Sequence, residues 1–108
     1  MKQNFLLTYS VKAPSEKDED IHKASKVRVE IADIEFWSKH SDVETTFMGS
    51  MVVDGFADST KKNNAINQVT EKLLPILKKH SVKSGDVKIY CVMMLQSLEQ
   101  PFDFTIVR

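Results

Sequence analysis

Ile66, Val69, Leu73, Ile76 and Leu77 recur at steps of three and four residues, the spacing of one face of an α-helix. Ile21, Ala24, Val27, Ile31 and Ile34 form a second stripe of the same period. The segments outside these stripes keep a period of two instead. Phe5, Leu7, Tyr9 and Val11 fall on one side of an extended chain, and Phe102, Phe104 and Ile106 on one side of another. A chain of 108 residues that switches twice between the two periods has room for one core, with two helices packed on strands. A single α+β domain over residues 1–108 is the expectation.

Local signals place the elements. Ala13-Pro14 ends the first strand, and Ser15 stands as an N-cap with Asp18 three residues on. The spacing predicts a helix from about Glu16 towards His40. Val27-Arg28-Val29-Glu30-Ile31 also alternates, so residues 27–31 read as either helix or strand. Val43–Met48 and Met51–Phe56 are rich in β-branched and aromatic residues, and Gly49-Ser50 between them suits a type II′ hairpin turn. Asp58 or Ser59 opens the second helix. Pro75 lies opposite its apolar stripe, which predicts a bend around the core. After the turn Ser84-Gly85-Asp86, the run Val87–Leu95 is nearly continuous in apolar residues, as in a strand covered on both faces. Pro101 then precedes a last alternating strand, Phe102–Val107.

Lys39-His40-Ser41-Asp42-Val43 is echoed by Lys79-His80-Ser81, with Asp86-Val87 shortly after. Each copy falls where a helix gives way to a strand. The order strand–helix–strand, twice, then one more strand predicts a ferredoxin-like βαββαβ sandwich with an additional C-terminal strand. Both helices should lie on one face of an antiparallel sheet.

Fifteen Lys and Arg balance fifteen Asp and Glu, so no overall basicity points to nucleic acid. The balance hides a division. Residues 33–54 carry five acids against Lys39, and residues 57–85 carry six lysines against Asp58 and Glu71. Lys61, Lys72 and Lys79 fall within about 20° of one another at 100° per residue and mark a candidate edge for phosphate or an acidic partner. Cys91 is the only cysteine, which rules out an internal disulfide and a cysteine-based zinc site. No signal-peptide pattern or membrane-length apolar run is present, so the expected location is the cytoplasm.

Familiar catalytic spacings are missing. His22, His40 and His80 are far apart, with only a His40–His80 meeting at adjacent helix ends as a candidate pair. Cys91 sits in an apolar strand and reads as a small hydrophobe. Gly49, Gly55 and Gly85 are too scattered to cradle a phosphate. No cofactor and no metal site are expected. The apolar row Phe102, Phe104 and Ile106 belongs to a strand beyond those the sheet needs, which suggests pairing with a second copy. Met48, Met51, Met93 and Met94 on nearby strands could supply an adaptable surface.

The element order resembles the small ferredoxin-like nucleases of CRISPR adaptation and their toxin–antitoxin relatives, with an apolar first strand, here Asn4 to Val11, and an extra last strand, here Phe102 to Val107. The resemblance implies a terminal strand that joins the partner's sheet, and metal-dependent phosphodiester cleavage supported by an acid at the end of the first strand. Ser10 stands at that position here, and a hydroxyl is a poor ligand for a hard cation. The reading is therefore a homodimeric, non-enzymatic interaction protein that binds another protein. The alternative is an RNA- or DNA-binding protein or a metal-dependent endonuclease.

Overall fold

The computed structural model describes residues 1–40, 42 and 45–108. Seven elements follow in order: β1 (Lys2–Lys12), α1 (Asp18–Ala32), β2 (Ser38–Lys39), β3 (Thr46–Val52), α2 (Asp58–Lys79), β4 (Lys88–Leu95) and β5 (Phe102–Ile106). The strands form one antiparallel sheet in the order β2-β3-β1-β4-β5. This is the βαββαβ ferredoxin-like plan extended by one C-terminal strand beside β4.

Strand β1 is the centre of the sheet, and its alternation decides which side is core. Gln3, Phe5, Leu7, Tyr9 and Val11 are buried, whereas Lys2, Asn4, Leu6, Ser10 and Lys12 are exposed. The stripes Ala24, Val27, Ile31 of α1 and Ala65, Val69, Leu73, Ile76, Leu77 of α2 join the buried row in one core. Both helices therefore cover the same face. Tyr9 stacks on Phe47 at 5.6 Å, and Trp37 meets the edges of Phe5 and Phe47.

Several boundaries differ from the sequence reading. Residues 27–31 are helical, with Val27 and Ile31 fully buried, but α1 stops at Ala32 rather than running towards His40. Asp33 and Ile34 close it with N–H bonds to the carbonyls of Glu30 and Ile31, and the chain turns so that Trp37 can reach Phe5. Ser15 is not the N-cap. Lys17 holds that position without a side-chain cap, while the Ser15 hydroxyl donates to Asp20 and accepts the Lys17 N–H at 3.3 Å. Helix α2 passes through Pro75 unbroken.

The expected hairpin at Gly49-Ser50 is absent, because β3 is continuous through both residues and pairs with β1, Gly49 opposite Phe5. A Cβ on Gly49 would lie 3.0 Å from the Phe5 ring and 3.4 Å from Trp37. Glycine is there for that close approach and not for a turn. The hairpin connection instead joins β2 to β3, with the His40 N–H bonded to the Thr46 carbonyl. Val43 and Glu44 of the expected strand lie outside the described residues.

Strand β4 is covered on one face only. Ile89, Cys91, Met93 and Leu95 are buried, but Tyr90, Val92 and Met94 face outward and are exposed. The expectation of two covered faces fails because the helix layer lies on one side. Strand β5 folds onto its own subunit beside β4, with Cys91 opposite Phe104.

Candidate functional site

The uncovered side of the sheet is the most unusual surface of the molecule. Leu6 on β1 stands between Met48 on β3 and Met94 on β4, a row of three large apolar side chains across adjacent strands. The next row sets Thr8 between Thr46 and Val92, and beyond it Ser10 pairs with Tyr90. Leu6, Met48, Tyr90, Val92 and Met94 are each 39–46 % exposed. Alternation forces this arrangement: with Phe5, Leu7, Met93 and Leu95 turned into the core, their neighbours must point the other way. A depression of about 750 Å³ lies in this face, bordered by Asn4, Leu6, Met48, Ser50, Met94, Gln96 and Leu98 among others. None of the described residues bordering it is charged.

A second groove, of about 490 Å³, runs between α1 and the end of α2. His22, Ser25, Lys26, Val29, Glu30 and Asp33 line it from one face of α1, and Lys79 and His80 close it. Glu30 Oε1 receives Lys79 Nζ at 2.9 Å and lies 2.9 Å from His80 Nε2. The Lys79 hydrogen bond holds the Glu30 carboxyl below its ordinary range, with His80 adding to the effect. Glu30 thus ties the two helices together.

The residues singled out in the sequence are placed as follows. Lys79 is paired with Glu30, and the Lys72 ammonium lies 5.2 Å from the centroid of the half-exposed Phe36 ring. Lys61 is half-buried in α2. Two of the three lysines are thus held by contacts within the fold. His40 follows β2, where its Nδ1 accepts the Asp42 N–H. His22, and not His40, shares with His80 the groove between α1 and the end of α2. Burial pushes the Cys91 thiol up to about 12, which keeps it protonated and inert at neutral pH. Phe102, Phe104 and Ile106 face inward: Phe102 and Ile106 are buried, and Phe104 packs partly buried against the core and stacks on Phe102. Their side chains complete the subunit's own core, and what β5 presents outward is a strand edge at the end of the sheet.

Among the described residues, no group of three or more His, Cys, Asp or Glu is placed to hold a metal ion, and no helix is long and apolar enough to cross a membrane. Compared with known proteins, the chain matches no family model, no curated protein and no solved structure.

The apolar rows of the outer face escaped the sequence reading, although their signal is present. Val87–Leu95 is apolar at odd and even positions alike. In a sheet with both helices on one side, such a strand must leave one apolar row uncovered.

Proposed function

We propose that the chain is a non-enzymatic interaction protein that acts as a homodimer and binds a further protein, in the cytoplasm. The observation that supports this reading is the outer face of the sheet, where Leu6, Met48, Tyr90, Val92 and Met94 stand exposed together. Soluble monomers seldom leave contiguous apolar patches larger than a few hundred Å², and larger ones mark interaction sites. The titratable groups favour the same reading. Glu30 is engaged by Lys79 and His80 in a link between helices, and the Cys91 thiol is held in its neutral form.

The nucleic-acid alternative draws on Lys61, Lys72 and Lys79, but Lys72 is stacked on Phe36 and Lys79 is paired with Glu30. Kinship with the CRISPR-adaptation nucleases has topology alone in its support. Ser10, where that family carries its acid, is exposed on the outer face opposite Tyr90. Sedimentation velocity over a concentration series tests the homodimer. A monomer–dimer equilibrium is expected, and a strict monomer at about 200 µM would overturn the reading, since weak specific dimers have dissociation constants near the micromolar range. Titrating labelled RNA and DNA at low salt should give no binding. Saturable, salt-sensitive binding would move the assignment to nucleic acid.

A further inference from the structure

We infer that the occupant of the outer sheet face is a second copy of this chain, seated face to face so that two sheets enclose a shared apolar layer with the helices outermost. This rests on the homodimer reading above and goes beyond it by naming the surface: the open face, and not the β5 edge that the sequence suggests.

Three observations carry it. The first is symmetry. The row Met48–Leu6–Met94 reads the same in both directions across the sheet. A two-fold axis parallel to β1, lying above Leu6 in the layer between the two sheets, would therefore set Met48 of one copy over Met94 of the other, as an isologous contact requires. Methionine and leucine are adaptable enough to interdigitate there.

The second is charge. Among the described residues, the outward strand positions around Leu6 and Thr8 are hydroxyls, methionines and aliphatics, with Asp103 beyond Val92 on the edge strand β5 and Lys2, Lys12 and Lys88 at the strand ends. An uncharged centre with a charged rim is the anatomy of a protein interface. Because the centre carries no charge, a copy of itself meets no repulsion there, whereas a charged partner would find nothing to pair with.

The third is area. Strands about 4.8 Å apart with a rise of about 3.3 Å per residue give the five strands, of 11, 2, 7, 8 and 5 residues, a combined flat footprint of roughly 520 Å², or roughly 1,050 Å² over both copies. That passes the lower bound of about 1,000 Å² expected of a specific interface, and the corrugation of real side chains adds to it. Sheets stacked in this way lie about 10 Å apart.

The test uses the full chain with Met94→Glu and, separately, Met48→Lys. Both positions are exposed on the outer face, 46 % and 39 % respectively, and neither has a charged cross-strand partner, so the fold should survive, as circular dichroism would show. Each variant places an unpaired charge in the dry centre of the proposed interface, and dimer dissociation constants from sedimentation should rise at least about tenfold. If the wild type dimerises and both folded variants dimerise as tightly, the face-to-face contact is wrong while the homodimer stands. A wild-type chain that is strictly monomeric overturns both. A monomer that co-sediments with phosphatidylcholine vesicles would give this face to a lipid surface and likewise overturn self-pairing.

Discussion

Leu6 and Leu7 are neighbours on β1, chemically identical, and separated only by the pleat. Leu7 is fully buried beneath the helices, opposite Phe47 and Met93, and Leu6 is 40 % exposed opposite Met48 and Met94. The centres of the inner and outer faces thus share leucine and methionine, as Leu7 and Met93 inside and Leu6, Met48 and Met94 outside, yet only the inner face is covered by the helices. What separates them is the placement of two helices on one side, so apolar character serves folding on the inner face and, in the proposed dimer, association on the outer one. The contrast can be broken by one pair of substitutions. Leu7→Ala should destabilise the monomer by about 3 kcal/mol, the transfer loss plus a cavity. Leu6→Ala should stay within about 0.5 kcal/mol of wild type while weakening self-association. Urea unfolding at concentrations too low for the dimer measures both, and a Leu6→Ala cost equal to that of Leu7→Ala would show that the outer face belongs to the folded monomer.

Strand β3 sharpens the same comparison at Gly49 and Ser50, one facing inward and the other outward. Gly49→Val would push a side chain into the Phe5 ring. Both Phe5 and its neighbour Trp37 are packed, so the ring cannot yield freely, and overpacking of this kind costs about 1–3 kcal/mol. Ser50→Val meets open space on the outer face and puts a strand-favouring residue in a strand. Its thermal midpoint should match or slightly exceed that of wild type, and a loss as large as that of Gly49→Val would contradict the assigned faces.

The legible part of the fold came from periodicity, and the illegible part from contacts between distant segments. The stripes of α1 and α2 and the alternation of β1 and β5 are local, so they could be read directly, and with them the ferredoxin-like order. Gly49 could not be read, because the reason for it is the ring of Phe5, which lies far away in the sequence. A glycine followed by serine carries the same local signal in a turn as in a close crossing of strands. The end of α1 was obscured in the same way, by the reach of Trp37 to Phe5 and Phe47. For the candidate site the difficulty is of another kind. The apolar run of β4 is plain in the sequence, but a run apolar at every position does not say which of its faces is covered, and with both helices on one side the other stays open. The inward aim of Phe102, Phe104 and Ile106 follows from the register with β4, and register is a tertiary fact.

The groove between the helices gives the smallest effect and the sharpest check on what holds the helix layer in place. If α1 and α2 are fixed by the buried inner face, then the Glu30 link to Lys79 and His80 adds little. Glu30→Gln should cost about 0.5 kcal/mol at neutral pH, as partly exposed ion pairs do. The pH dependence has a definite sign. The Lys79 hydrogen bond depresses the folded-state pKa of Glu30, so its stabilising contribution is complete above the ordinary carboxylate range and is lost as the pH falls through the folded value. The difference in thermal midpoint between wild type and Glu30→Gln should therefore be present at about pH 5 and shrink as the pH falls below the ordinary carboxylate range. A cost of several kcal/mol at pH 7 would mean that the helices depend on this link more than on their apolar stripes, and the inner face would no longer account for the position of the helix layer.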